Sequence, residues 1–90
     1  MLKPIYKNVF KKELKLMGKR GLNLGKLGKI TKMIINEQPL PPKHEDHPIH
    51  GKWEGCRDCH IQGDWVLVYE IDEAARTVTF HHTGSHSDLF

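Results

Sequence analysis

All seven histidines of this 90-residue chain fall after residue 36: His44, His47, His50, His60, His81, His82 and His86. Imidazole titrates near neutrality, which suits it to proton transfer on a phosphodiester. One ring would take the proton of an RNA 2′-hydroxyl, and a second would protonate the leaving 5′-oxygen. Such cleavage needs no metal and no cofactor, but it does need positive charge beside the phosphate. Lys52 and Arg57 are candidate phosphate contacts. Asp64 can orient or charge a histidine, and Trp53, Trp65 and Phe90 are candidates for stacking on an unpaired base, worth about 1–3 kcal/mol each. Spacing by itself does not select among the histidines, each of which is by default an ordinary surface or polar-core residue.

A second local pattern is Cys56-Arg57-Asp58-Cys59-His60, which matches the C-x-x-C-H signature of covalent haem attachment. That chemistry requires export, and the N-terminus lacks the apolar stretch of a secretory signal. The segment also runs into a strand-like stretch, where Cys56 and Cys59 would project to opposite faces and could share neither haem nor zinc. Two buried or half-buried free thiols are the expectation.

These side chains must be carried by a small scaffold. Phe10, Leu14 and Met17 recur at helical spacing between Asn8 and Lys19, and Gly18 and Gly21 around a basic last turn mark its end. Asn23 can cap a second helix whose Leu24, Leu27, Ile30 and Ile34 share a face, so the two helices are expected to form an antiparallel hairpin. Residues 2–7 read as a short opening strand. Pro39-Leu40-Pro41-Pro42 closes the helical region. Trp65, Leu67, Tyr69 and Ile71 then alternate with Val66 and Val68, the pattern of a central strand buried on both faces. Arg76 to His82, with Val78 and Phe80 inward, is its partner after a turn at 72–75, and residues 49–53 and 56–61 read as two further short strands. The expected class is α+β: one domain over residues 1–90, with an N-terminal helical hairpin packed on a curved antiparallel sheet.

Ninety residues leave no room for a second domain, and no apolar run approaches the roughly 18 residues that span a bilayer. Two cysteines exclude a disulfide framework and point to a reduced, cytoplasmic setting. The net charge of +3 hides two unlike halves. Residues 1–36 hold ten Lys/Arg against Glu13 alone, while residues 37–90 hold four Lys/Arg against ten Asp/Glu. A basic half attracts phosphate backbones, although solvated Lys-rich helices look the same in composition.

The segments His47-Pro48-Ile49, Gly51-Lys52-Trp53, Arg57-Asp58-Cys59-His60, Asp64-Trp65-Val66-Leu67-Val68-Tyr69 and Thr83-Gly84-Ser85-His86-Ser87-Asp88-Leu89-Phe90, taken together, closely resemble the YafQ branch of the RelE/ParE toxin superfamily. The match is detailed over the C-terminal half and looser over the helices. The resemblance implies the toxin of a type II toxin–antitoxin pair, a ribosome-dependent endoribonuclease that cuts messenger RNA in the A site. It implies a RelE-like fold with the active site on the concave face of the sheet. By motif position it assigns His47, His60, Asp64 and His86 to catalysis: His47 as base, His86 as acid, His60 and Asp64 orienting. Whether His47 or Asp64 is the base stays open. Phe90 holds the family's terminal aromatic position, and Lys52, Arg57 and Trp65 would contact substrate. Lys11, Lys12, Lys15, Lys26 and Lys29 would then face 16S ribosomal RNA. The implied partners are a cognate antitoxin, the ribosome and messenger RNA, with operator DNA reached only through the antitoxin. Cys56 and Cys59 depart from the pattern, standing where an aromatic and a small residue are common. A ParE-like gyrase inhibitor or a non-catalytic binding module would share the fold without needing the histidine–aspartate set.

Overall fold

A computed structural model describes residues 1–90. The elements run β1 (Lys3–Tyr6), α1 (Asn8–Lys19), α2 (Leu24–Ile35), a 3-10 turn (Pro42–His44), β2 (His47–Pro48), β3 (Arg57–Gln62), β4 (Trp65–Asp72), β5 (Thr77–Ser85) and α3 (His86–Leu89). Both expected helices form where the apolar spacing places them. The Asn23 side chain accepts from the Gly25 N–H at 3.0 Å and caps α2. The stop of α1 is Gly21, at φ 83°, a conformation that costs other residues dearly.

The five strands form one sheet in the order β1-β5-β4-β3-β2. The sheet is mixed rather than wholly antiparallel, because β1 pairs in parallel with β5, Lys3 opposite Thr77 through Tyr6 opposite Phe80. A parallel pair needs a long crossover, and everything from α1 to β4 supplies it. Lys3 donates to the Arg76 carbonyl and Lys7 to that of Phe80. Residues of that parity face β5, so Pro4, which has no N–H to give, turns its vacant side outward at the sheet edge.

Residues 49–53 are not a strand. Gly51 and Gly55 hold φ values of 88° and 94°, and the chain between them turns instead of extending. Only His47 and Pro48 pair with β3, opposite Asp58 and Arg57.

The alternation along β4 separates two cores. Trp65, Leu67 and Tyr69 join Phe10, Met17, Leu27, Ile30, Ile34, Cys59, Val78 and Phe80 beneath the helices. Val66 and Val68 join Ile49, Cys56 and Leu89 on the other face, with Trp53 against them. Both helices therefore lay their apolar stripes on the sheet and meet through one shared core. Cys56 and Cys59 are both buried and free, and they lie in different cores, as the period of a strand requires.

Candidate active site

Strand register builds the site on the face away from α1 and α2. There, cross-strand neighbours form rows. His60 lies opposite Val66 and Gly84, and Asp58 lies opposite Val68 and His82, with His47 beyond Asp58 on β2. Successive rows are two residues apart along the strands, about 6.6 Å. His86 opens α3 directly after β5 and turns back over the first row.

The His47 and His60 rings each face a backbone carbonyl, which can only accept. His47 Nδ1 donates to Glu45 O at 2.6 Å, so Nε2 faces the cleft, 3.4 Å from Asp58 Oδ1. Asp58 is buried, and that oxygen has no hydrogen-bond partner. A buried carboxylate oxygen left without a donor is costly, and the His47 ring is the group within reach of it. His60 Nδ1 lies 3.3 Å from Gly63 O, leaving its Nε2 free. The His86 backbone N–H donates to Asp64 O at 3.1 Å, which ties α3 to the β3–β4 turn. Asp64 is itself exposed in that turn.

The rings form a continuous wall. Centroid separations are 5.3 Å for His60–His86, 5.3 Å for His86–Phe90, 5.1 Å for Phe90–Trp53 and 4.9 Å for Trp53–His82. Lys52 Nζ sits 4.9 Å from the Trp53 ring centre, at the edge of this wall. A groove of about 510 Å³ runs from His60 toward α2, lined by Lys26, Lys29, Lys43, His44 and Glu45 among others. It brings the cations of α2 beside the histidines. Lys11, Lys12 and Lys15 are exposed on α1 and are not part of it.

The C-terminal helix is short, so its placement depends on polar ties. Ser85 and Asp88 make a reciprocal capping box, and Arg20 reaches from the end of α1 to Asp88 Oδ2 at 2.6 Å. The guanidinium and the Ser85 N–H hold the Asp88 carboxyl far below the usual carboxylate range.

Two expected substrate contacts lie elsewhere. Arg57 has the strand parity of Cys59 and Ile61, not of His60, and so projects toward the helix side. There its Nε donates to Asp46 Oδ1 at 3.1 Å, and the Tyr69 hydroxyl donates to the same oxygen at 2.6 Å. Burial, and then Asp46, push the Tyr69 hydroxyl up, which keeps it a donor. Trp65 is buried under the helices, its indole N–H on Thr83 Oγ1 at 2.8 Å, and it is unavailable for base stacking. His44 is buried and donates to the His60 carbonyl at 2.6 Å, bracing the edge of β3. Asp58 and His82 are the groups in the cleft that motif reasoning passed over. Asp58 stands inside R-D-x-H, and counting two back from His60 along the strand would have placed it on the same face. His82 faces the cleft only because of a bulge between Phe80 and His82 that no sequence signal marks.

The family model for the bacterial toxin of the type II toxin–antitoxin system, YafQ, matches residues 2–90. The mRNA interferase toxin YafQ of Escherichia coli (strain K12) is 37% identical over 86 residues, covering 94% of this chain and 91% of its own length. The fold superposes on the toxin in a crystal structure of the E. coli DinJ–YafQ complex with a TM-score of 0.91 at 35% identity, covering 100% of this chain and 99% of that one. A metal-bound toxin from Helicobacter pylori gives a TM-score of 0.93 at 40% identity, with both chains covered in full.

Proposed function

Because the chain belongs to the YafQ family of toxins of bacterial type II toxin–antitoxin systems, we propose that it is an endoribonuclease cutting messenger RNA in the ribosomal A site by general acid–base catalysis. The observation that supports this reading best is the placing of His47, His60 and His86, with Asp58, along one sheet face beside a lysine-lined groove, Asp64 standing in the turn that His86 is tied to.

In this reading His47 Nε2 takes the 2′-hydroxyl proton, and the freed oxygen attacks the adjacent phosphorus. The bond to the 5′-oxygen breaks as His86 delivers a proton to it. The products are a 2′,3′-cyclic phosphate and a 5′-hydroxyl end, and no metal takes part. Asp58 Oδ1, 3.4 Å from the same nitrogen, stabilises the imidazolium once Nε2 carries the proton. His60 and Asp64 orient the acid side. Lys52 and the groove lysines Lys26, Lys29 and Lys43 offset the charge that develops on the phosphoryl oxygens, while Phe90 and Trp53 form the stacking wall for a splayed base. Arg57 acts on the loop that carries His47, through Asp46, rather than on phosphate. Lys11, Lys12 and Lys15 extend the basic surface toward 16S ribosomal RNA.

The cytoplasm, where ribosomes are, is the working compartment of this reading; no helix here is long and apolar enough to cross a membrane. The E. coli relative was solved in complex with DinJ. A cognate antitoxin that covers the cleft, and through which operator DNA is reached, is the partner we assign to this chain.

The test is cleavage of messenger RNA on programmed ribosomes, with a chelator that strips transition metals but spares magnesium. A-site cuts with 5′-hydroxyl ends, lost in His86→Ala, are expected. Absence of cutting by the parent chain would overturn the nuclease reading, and cutting lost on chelation would overturn the metal-free mechanism.

A further inference from the structure

One row of the sheet lies beyond the histidine cleft. Cys56 just before β3, Glu70 on β4 and His81 on β5 stand side by side on the face that carries the site, two rows and about 13 Å from the His60 row. Their donor atoms, one thiol sulfur, one carboxylate oxygen and one imidazole nitrogen, all lie within 4.8 Å of one another. His81 Nε2 and Glu70 Oε1 are already 3.0 Å apart. The bulge that separates Phe80 from His82 leaves His81 without a partner in the ladder and turns it toward Glu70.

From this geometry we propose that Cys56, Glu70 and His81 form a zinc site, separate from the nuclease cleft, with its fourth position open to water. The donor chemistry selects the ion. A thiolate with an imidazole and a single carboxylate suits a borderline-soft cation and disfavours magnesium or calcium, which take oxygen ligands. Charge also balances, since a thiolate and a carboxylate together neutralise a dication. Zinc bonds of about 2.0–2.3 Å place tetrahedral ligand atoms about 3.5 Å apart, so the three groups need move only about an ångström. Binding breaks the S–H bond and releases that proton to solvent. His81 ligates through Nε2 with its proton on Nδ1, giving up its contact with Glu70. Glu70 is exposed and His81 partly so, which leaves the ion a path from solvent, while Cys56 anchors it from the core.

The consequence is mechanical. Cys56 ends the turning segment that carries Lys52 and Trp53, and Trp53 packs edge-on against Phe90 at 5.1 Å. A metal bridge from Cys56 to the β4–β5 ribbon would pin that segment and stiffen the aromatic wall without touching the reacting atoms.

The experiment uses the full chain, metal-freed, titrated with Zn2+ and, as a spectroscopic stand-in, Co2+. One equivalent is expected to raise the melting temperature. Co2+ is expected to give a near-ultraviolet thiolate charge-transfer band with the visible absorption of a tetrahedral site. Cys56→Ser and His81→Gln should each abolish the band, whereas Cys59→Ser, His60→Ala and His86→Ala should keep it. A Co2+ complex without a thiolate band, a band that survives Cys56→Ser, or binding lost only when His60 or His86 is replaced would overturn the proposal and leave Glu70–His81 a plain ion pair. Because His81→Gln leaves both cysteines in place, it decides the matter if Cys56→Ser fails to fold.

Discussion

His47 and His86 reach the proposed scissile phosphate from different elements, β2 and α3, and neither is needed by either core. His86→Ala should therefore leave the thermal unfolding midpoint nearly unchanged, and His47→Ala should lower it only by what the buried Asp58 Oδ1 loses with its neighbour, while in both cleavage falls by about 10²–10⁴-fold, the usual worth of a positioned acid or base. Asp58→Asn keeps the shape but removes the charge 3.4 Å from His47 Nε2. It should lower the single-turnover rate less than His47→Ala does, and the double variant should be no slower than His47→Ala; an unchanged rate in Asp58→Asn would detach Asp58 from His47. Motif context names His47, His60, Asp64 and His86, of which the three histidines lie along one sheet face, and it also names Arg57 and Trp65, which project to the other. The alternation that separates Cys56 from Cys59 also separates Arg57 from His60, and sets Trp65 with Leu67 and Tyr69 beneath the helices. Residue type suggested phosphate and base contacts, but strand parity decides which side chains can make them.

At the scale of elements, the two helices and the β4–β5 pair were readable because apolar periodicity marks buried faces directly. The opening strand was expected but its parallel pairing was not, nor was the turn over residues 49–53, since pairing partners and glycine φ values leave no periodic trace. The element on which the site depends most is α3, four residues long and held by its cap. Gly84 faces it closely: a Cβ there would stand 3.1 Å from Asp88 Oδ2 and 3.2 Å from Asp88 Cβ. Gly84→Ala should push α3 outward, destabilise by about 1–3 kcal/mol in urea unfolding, and reduce cleavage by displacing His86. The Asp88 carboxyl is held low chiefly by Arg20. A depressed native pKa contributes stability that is complete above the unfolded value, about 3.9, and is lost only as pH falls through the lower native one. The cap should thus persist at every pH near neutrality and release in strong acid. Asp88→Asn should mimic that release at pH 7, seen as altered Trp53 fluorescence when Phe90 leaves its ring, with cleavage falling in parallel. Unchanged fluorescence in the variant would mean that α3 is held by Leu89 packing alone.

Across the whole molecule, charge is sorted along the chain and then partly remixed by folding. The basic first half and the histidine-bearing second half meet where α2 crosses β3, so Lys26 and Lys29 line the same groove as His60. Glu13, the one acid of the first half, is used locally: it accepts from His82 Nδ1 at 3.1 Å and from the Thr83 N–H at 3.2 Å, where β1 has ended and β5 would otherwise expose an unpaired edge. Lys26 and Lys29 form no ion pair, with Glu45 the one acid lining their groove, and a polyanion lying along it would neutralise them. Each phosphate neutralised releases counterions and contributes about 0.7–0.9 to the slope of log affinity against log salt. The double variant Lys26→Ala, Lys29→Ala should therefore weaken binding to programmed ribosomes most at low salt and flatten that slope by about 1.5, with the fold intact because both side chains are exposed. Lys11, Lys12 and Lys15 are a separate surface on α1, and the same replacement there measures how far the nucleic acid extends beyond the groove. If the α1 variant changes the slope and the α2 variant does not, the polyanion runs over the outside of the hairpin. The groove beside His60 would then be occupied by something other than a phosphate backbone.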